Sequence, residues 1–178
     1  MLCRGAAVAA SFVLLMGFTN SPAGGELRLC LRSEPRTFDP LMVEDESSEV
    51  IRYLTGGVLV RINRATQQAE PELAVSWQIL ENGRRIDFRL RRDVRFSDGT
   101  PFTAQDVAYT MRRVMDRDLH APAADAFRSG NGTVTTTIHA PDSITIRFGA
   151  PVAGLPAEFD QLPVLSSVSP LRAEMTGR

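Results

Sequence analysis

Lysine is absent from this chain of 178 residues, and all 20 basic residues are arginine. Arginine suits bidentate recognition of anions. Here the arginines are scattered along the whole length, which points to a compositional bias and not to an anion site. Against 21 acidic residues they leave a net charge of −1, without the basic excess that grips nucleic acid or an anionic membrane. Aromatic residues make up 7% of the chain and form no stacking ladder for single-stranded nucleic acid. The two histidines, His120 and His139, have no cysteine or carboxylate cluster at metal-ligand spacing around them, so neither a metal site nor a cofactor is expected. There is no G-x-S-x-G and no phosphate-binding loop; Gly56-Gly57 and Ser129–Gly132 read as helix-end and loop glycines. An enzyme has no nucleophile–base pair to stand on, and none is expected. What is present is 43% apolar and 23% charged residues, enough for one globular domain with its own core.

The first residues differ from the rest. One early Arg4, an apolar run from Ala6 to Phe18 and then Ser21-Pro22-Ala23 have the three-part layout of a secretory signal peptide spanning residues 1–23. The run is shorter than the roughly 20 residues a membrane-spanning helix needs. Removing this leader leaves 19 arginines against 21 acids and a single cysteine, Cys30, so no internal disulfide can form. A buried thiol is the simpler expectation, and a partner cysteine outside this sequence is the alternative.

Along the remainder, strands and helices interleave, and the fold class expected is mixed α/β. Glu26–Arg32 alternates, with Leu27, Leu29 and Leu31 on one face, and reads as a strand. Ser33–Pro40 carries two prolines and reads as a loop. Val50, Ile51 and Leu54 recur at helical spacing within Ser47–Thr55, and Val58–Ile62 reads as a short strand. Val75–Leu80 and Arg84–Leu90 flank Asn82-Gly83, a strong hairpin signal, because both residues tolerate positive φ. Ile86, Phe88 and Leu90 should face the core, and Arg85, Asp87 and Arg89 should face water. A second hairpin pairs Val134, Thr136 and Ile138 with Ile144, Ile146 and Phe148 around Pro141-Asp142. His139, on the face opposite Ile138, should be exposed. A short helix near Leu155–Leu162 precedes a tail without pattern.

Arg95–Asp116 is the stretch most crowded with polar groups. Asp98-Gly99 is turn chemistry after a strand ending at Phe96. Thr103 stands three residues before Asp106, the T-x-x-D form of a capping box, and Val107, Met111, Val114 and Met115 make one apolar face. Every carboxylate in the stretch thus has a structural task, and acid/base catalysis is not required to explain it.

Pro71–Asp116 also resembles the most distinctive segment of the family 5 extracellular solute-binding proteins, the peptide-type and sometimes nickel-type binding components of ABC importers. The matching residues are Glu72, Leu73, Ala74, Ser76 and Trp77, then Asn82-Gly83, then Phe88, Leu90 and Arg91. Phe96, Asp98, Gly99, Pro101, Ala104, Asp106 and Val107 complete the pattern, and Phe38-Asp39-Pro40 resembles the Leu-Asp-Pro that follows the family's first strand. The resemblance runs from about Glu26 to Ser166.

What the resemblance implies is a two-lobed periplasmic protein that buries a peptide or other small solute between its lobes and delivers it to a permease of the inner membrane. Family members are more than twice this long. Residues 24–178 are therefore expected to form part of the first lobe, as a truncated frame or fragment that cannot bind alone, acting as a monomer and without nucleic acid. The family's acidic residue for a peptide amino terminus falls in the part not represented. Ligands of open α/β sheets sit beyond strand carboxyl ends, and the corresponding family loop lines the cleft. Ser33, Glu34, Thr37 and Phe38 are therefore the candidate ligand-binding residues, with Glu34 and Thr37 for polar contacts. The loop His120–Asp125 is a second candidate. The rival reading is an exported interaction module that keeps the lobe but binds a protein, which requires a large exposed apolar patch.

Overall fold

A computed structural model describes residues 28–128 and 133–169. The chain divides into two units, Met1–Cys30 and Leu31–Arg178, and the second carries the fold. The proposed leader lies outside the described residues. Within the second unit the order is helix α1 (Glu46–Thr55), strands β1 (Val60–Ile62), β2 (Ala69–Pro71), β3 (Ala74–Leu80) and β4 (Arg85–Leu90), helix α2 (Ala104–Val114), and strands β5 (Val134–Ala140) and β6 (Ser143–Phe148). Short 3-10 turns occupy Pro122–Phe127 and Ala157–Asp160. The class is mixed, as expected, and the sheets are antiparallel.

The main sheet has the order β3-β4-β6-β5, so the two hairpins lie side by side through β4 and β6. The first hairpin turns through Glu81, Asn82 and Gly83, with φ of 53°, 52° and 83°. Gly83 serves a second purpose, since a Cβ there would meet the Val152 carbonyl at 3.1 Å. The second hairpin pairs Val134 with Phe148, Thr136 with Ile146 and Ile138 with Ile144, the register the alternation predicts. One face of β4 and β6 is buried through Ile86, Phe88, Leu90, Ile144, Ile146 and Phe148. A one-residue slip would put Asp87 and the neighbouring arginines into that core, which holds the register.

Helix α2 covers the apolar face with Val107, Met111 and Val114, each worth roughly 1.5–3 kcal/mol of burial. Phe127 and Phe159 close the core. Phe159 meets the edge of Phe88 at 4.9 Å between centroids, and Phe127 stacks on Phe148 at 6.0 Å. The outer face is polar. Arg85 forks onto Asp87 at 2.8 and 2.7 Å, and the buried Thr145 donates to Asp87 at 2.7 Å. His139, exposed as its alternation predicts, contacts the same hydroxyl at 2.9 Å.

Several expectations are corrected. Arg28–Arg32 form no strand, and Cys30 is free and exposed instead of buried. Alternation along the sequence sets which face a residue would take, but a segment becomes a strand only when it joins a ladder of paired hydrogen bonds. Nor does a strand end at Phe96. Arg95 pairs singly with Pro101 around the Ser97–Gly99 turn, so α2 follows a tight turn and not a strand. Val58 stands outside β1 in a lone bridge to Pro163, the helix near Leu155–Leu162 is a single 3-10 turn, and β2 was not anticipated. β2 has three residues and ends in proline, below what a period of two can reveal.

Candidate functional site

Among the described residues a groove of about 660 Å³ is bounded by three segments far apart in sequence. One wall is the loop Thr37–Val43 with α1, another the turn Val94–Phe102, and the third the segment Pro163–Ser169.

The first wall begins at the N-terminus of α1. Asp45 caps the helix, accepting the Ser48 amide at 3.0 Å and the Ser48 hydroxyl at 2.6 Å. Those bonds hold the Asp45 carboxyl below the usual aspartate range, the Ser48 hydroxyl contributing most. Ser48 Oγ in turn accepts the Thr37 amide at 3.2 Å, so the cap also anchors the loop. Thr37 Oγ1 accepts the Asp39 amide at 3.0 Å, and the buried Asp39 accepts the Leu41 amide at 3.0 Å. These Asx and hydroxyl turns fix a loop that the two prolines keep out of helix. Phe38, 56% exposed, is left projecting at the groove.

The second wall is the tight turn. Asp98 accepts the Thr100 amide at 2.9 Å and the Thr100 hydroxyl at 2.6 Å, while Gly99 takes a φ of 85°. The Ser169 hydroxyl, followed by those Thr100 bonds, pulls the Asp98 carboxyl down to about 2. Phe96 and Phe102 meet edge to face at 6.3 Å and give this wall its apolar surface.

The third wall is held from behind by α2. Val164 donates to the Gly57 carbonyl at 2.8 Å, and Leu165 donates to Thr110 Oγ1 at 2.9 Å. Asp106 does two things at once. Its Oδ2 accepts the Thr103 amide at 2.8 Å, completing the capping box, while its Oδ1 accepts the Ser167 amide and hydroxyl, both at 2.8 Å. Gly56 is small for a steric reason, because a Cβ there would stand 2.8 Å from the Arg52 carbonyl oxygen and 2.9 Å from Pro163 Cβ.

The groove's ionisable side chains are engaged within the chain. Arg52, buried at α1, forks onto Glu49 and donates to the Asp160 carbonyl at 3.2 Å and to Gln161 at 3.1 Å. The exposed Asp98 accepts from hydroxyls and an amide, and the exposed Arg95 donates to the Gly99 carbonyl at 2.8 Å. The rest of the lining is mainly apolar, including Ile51, Leu73, Val94, Phe96 and Leu165, with a few hydroxyls.

Of the four candidate residues, Thr37 and Phe38 line this groove, whereas Ser33 and Glu34 do not. Ser33 instead contacts the Ser47 hydroxyl at 3.0 Å, and Glu34 is exposed. The second candidate loop lies elsewhere. His120 is exposed, while Pro122 and Ala123 border a smaller hollow of about 280 Å³. Sequence reasoning missed the Pro163–Ser169 wall altogether, because its order comes from Asp106, Thr110 and Gly57 and leaves no period to read. Among the described residues no group of three metal-ligating side chains occurs.

Comparison with known proteins gives the class. Residues 68–175 match the model of the bacterial extracellular solute-binding proteins, family 5. The chain belongs to that family. It is 34% identical over 100 residues to the periplasmic oligopeptide-binding protein OppA of Escherichia coli, covering 56% of this chain and 18% of that protein. The crystal structure of the ABC transporter substrate-binding protein CtaP of Listeria monocytogenes superposes with a TM-score of 0.70 at 17% identity, over 78% of this chain and 28% of that one. The periplasmic binding protein DppA of Helicobacter pylori, in complex with the peptide STSA, gives 0.61 at 26% identity, over 76% and 30%. The structural neighbours are two-lobed periplasmic binding proteins, of which this chain covers a part. It spans 17% of the length of one curated relative, 18% of OppA and 22% of another.

Proposed function

We propose that residues 24–178 form part of the first lobe of the solute-binding component of an ABC importer, with peptides as the solute, in the periplasm, behind a cleaved leader at residues 1–23. The observation that carries this reading is the groove itself, in a chain that belongs to a solute-binding family. The Asn82-Gly83 hairpin, the Asp98-Gly99 turn and the Thr103–Asp106 capping box are among the residues that carry the resemblance to the family, and in this fold the last two support groove walls. Relatives named for peptide and dipeptide binding support the solute class. Thr37 and Phe38 are proposed to meet the solute, with Ser33 and Glu34 on the loop that leads to them. The role is binding and delivery to a permease, without catalysis.

A ligand shifts an open–closed equilibrium only through its differential contacts with the two states. The described residues supply one side of such a cleft, so this chain by itself should bind short peptides no more tightly than about 1 mM, an affinity worth about 4 kcal/mol. Calorimetry with a tri- to pentapeptide mixture tests this, and micromolar binding overturns it. Fractionation of cells expressing the chain tests export. The expected product is periplasmic and begins after Ala23, whereas full-length protein retained in the cytoplasm refutes the leader.

A further inference from the structure

β5 is an outer strand of the main sheet and pairs with β6 on one side only. One bond fixes which of its backbone groups that pairing uses. Gly149 donates to the Thr133 carbonyl at 2.8 Å, so by the alternation of an antiparallel ladder Thr135 and Thr137 exchange bonds with Arg147 and Thr145. The amides and carbonyls of Val134, Thr136 and Ile138 point the other way, and among the described residues none of them has a hydrogen-bond partner. Edge strands are ordinarily guarded by a charge, a proline or a bulge. Val134–Ile138, VTTTI, carries no charge and no proline and is β-branched throughout, which favours strand pairing. The irregularity in β5 falls beyond it, between Ile138 and Ala140. The opposite edge of the sheet, β3, is broken by a register shift between Ala74 and Ser76.

The unguarded segment is complementary to itself. Set antiparallel against a second copy and centred on Thr136, it brings Val134 opposite Ile138 of that copy and Thr136 opposite its own equivalent. These are the positions whose groups point outward, so each pair can exchange two backbone bonds. A shift of one residue would bring groups already bonded to β6 into the seam. The side chains agree with the backbone. Val134, Thr136 and Ile138 lie on the face of Ile144, Ile146 and Phe148, and Ile138, 41% exposed, would be covered by Val134 of the second copy. On the outer face the exposed Thr135 would stand opposite Thr137, in the closer type of cross-strand pair, with no charge set against a like charge.

We infer that the β5 edge docks a second copy of this chain, antiparallel about Thr136, joining the two four-stranded sheets into one. The contact is isologous and closed, because each copy spends its one unguarded edge. It does not depend on the solute reading. So short a seam lies below the standard interface size, and its dissociation constant is on the order of 0.1–1 mM. The monomer expected from the sequence is then the dilute species.

The test is amide exchange of the full chain followed by ¹⁵N–¹H NMR at about 0.05 and about 1 mM, with translational diffusion measured on the same samples. The Val134, Thr136 and Ile138 amides should exchange about twofold or more slowly at the higher concentration, whereas Thr135 and Thr137, already bonded to β6, should keep one rate. Two double variants at exposed positions test the register. Thr135→Glu with Thr137→Lys sets opposite charges against each other across the seam and should tighten the dimer about threefold. Thr135→Glu with Thr137→Glu sets like charges there and should weaken it about threefold or more. If the parent diffuses as a monomer at both concentrations and its exchange rates do not change, the inference fails. It fails equally if the chain associates while the two variants shift alike, because the copies then meet through another surface. Either failure leaves the solute reading untouched.

Discussion

Removing the Asp106 carboxylate should unfasten two parts of the molecule at once. The side chain is 2% exposed and accepts the Thr103 amide at 2.8 Å, the Thr103 hydroxyl at 3.1 Å, and the Ser167 amide and hydroxyl at 2.8 Å each. A hydrogen bond to a charged group is worth roughly 1.5–3 kcal/mol, and a buried donor left without a partner costs about 1–3 kcal/mol. Relief from burying a charge offsets part of the loss, so the net cost of Asp106→Ala is roughly 3–5 kcal/mol. Against a total stability on the order of 5–15 kcal/mol that is a large fraction. Thr103→Ala loses only a cap, about 1 kcal/mol. Ser167→Ala loses one bond to the carboxylate and keeps the amide, roughly 1.5 kcal/mol. Urea unfolding followed by circular dichroism measures all three. With a slope of about 1.5 kcal/mol/M, Asp106→Ala should lower the midpoint by about 2 M or more. In Asp106→Asn one oxygen of the pair becomes a donor, so amide exchange should quicken at either the cap or Ser167 while the α2 interior stays protected. If Asp106→Ala costs no more than Thr103→Ala, the carboxylate is a cap alone and the account of the third wall is wrong.

Acid should destabilise the fold through its hydrogen-bonded aspartates. Asp98 titrates near 2 in the folded chain, held there by the Ser169 and Thr100 hydroxyls, and in the unfolded chain near 4, so the stability it contributes is present above pH 4 and lost as the pH falls toward 2. Asp45, Asp87 and Asp142 are shifted in the same direction. Asp98→Asn should flatten the fall in urea midpoint between pH 4 and pH 2, and an unchanged acid slope refutes the assignment. On the outer sheet face, Thr145 gives its single proton to Asp87, so His139 must present a proton on Nε2. Long-range ¹⁵N–¹H spectra above pH 8 should show the Nε2–H form, and the Nδ1–H form overturns this arrangement. Thr145→Val, close in shape, should cost about 1–2 kcal/mol in the same unfolding assay.

The parts of the fold that were legible in the sequence are those whose cause is local. Asn82-Gly83 marks its turn because positive φ is cheap there, and the alternation through Arg85–Leu90 marks its faces because the period is two. Thr103 and Asp106 marked the start of α2 for the same kind of reason. Elements made by distant partners left no such trace. Leu27, Leu29 and Leu31 alternate as cleanly as β4 does, yet Arg28–Arg32 is not a strand. Pro163–Ser169 has no period at all and is nonetheless held by bonds to Gly57, Thr110 and Asp106. The candidate site divides along the same line. Thr37 and Phe38 were reachable through the loop that precedes α1, whereas Leu73, Phe96 and Leu165 share a groove only because the chain returns across Gly57.

The all-arginine composition acquires a physical consequence in this setting. Arg52 engages both oxygens of Glu49 while still reaching Gln161 and a carbonyl, and Arg61 engages both oxygens of Glu72. Arg85 does the same to Asp87, and Arg147 reaches both oxygens of Glu81. A planar guanidinium can satisfy a carboxylate with two parallel bonds and keep further donors for a third partner, which a lysine ammonium on a flexible stem does poorly. Exposed pairs of this kind add little stability, a median near 0–1 kcal/mol. Their effect is on where charge is left over. Arg52, the most buried of these arginines, stands at the groove with its donors turned toward Glu49, Gln161 and a carbonyl. Composition that reads as bias along the sequence thus supplies internal ion pairs, because the fork geometry lets one guanidinium engage a carboxylate and keep donors for a further partner.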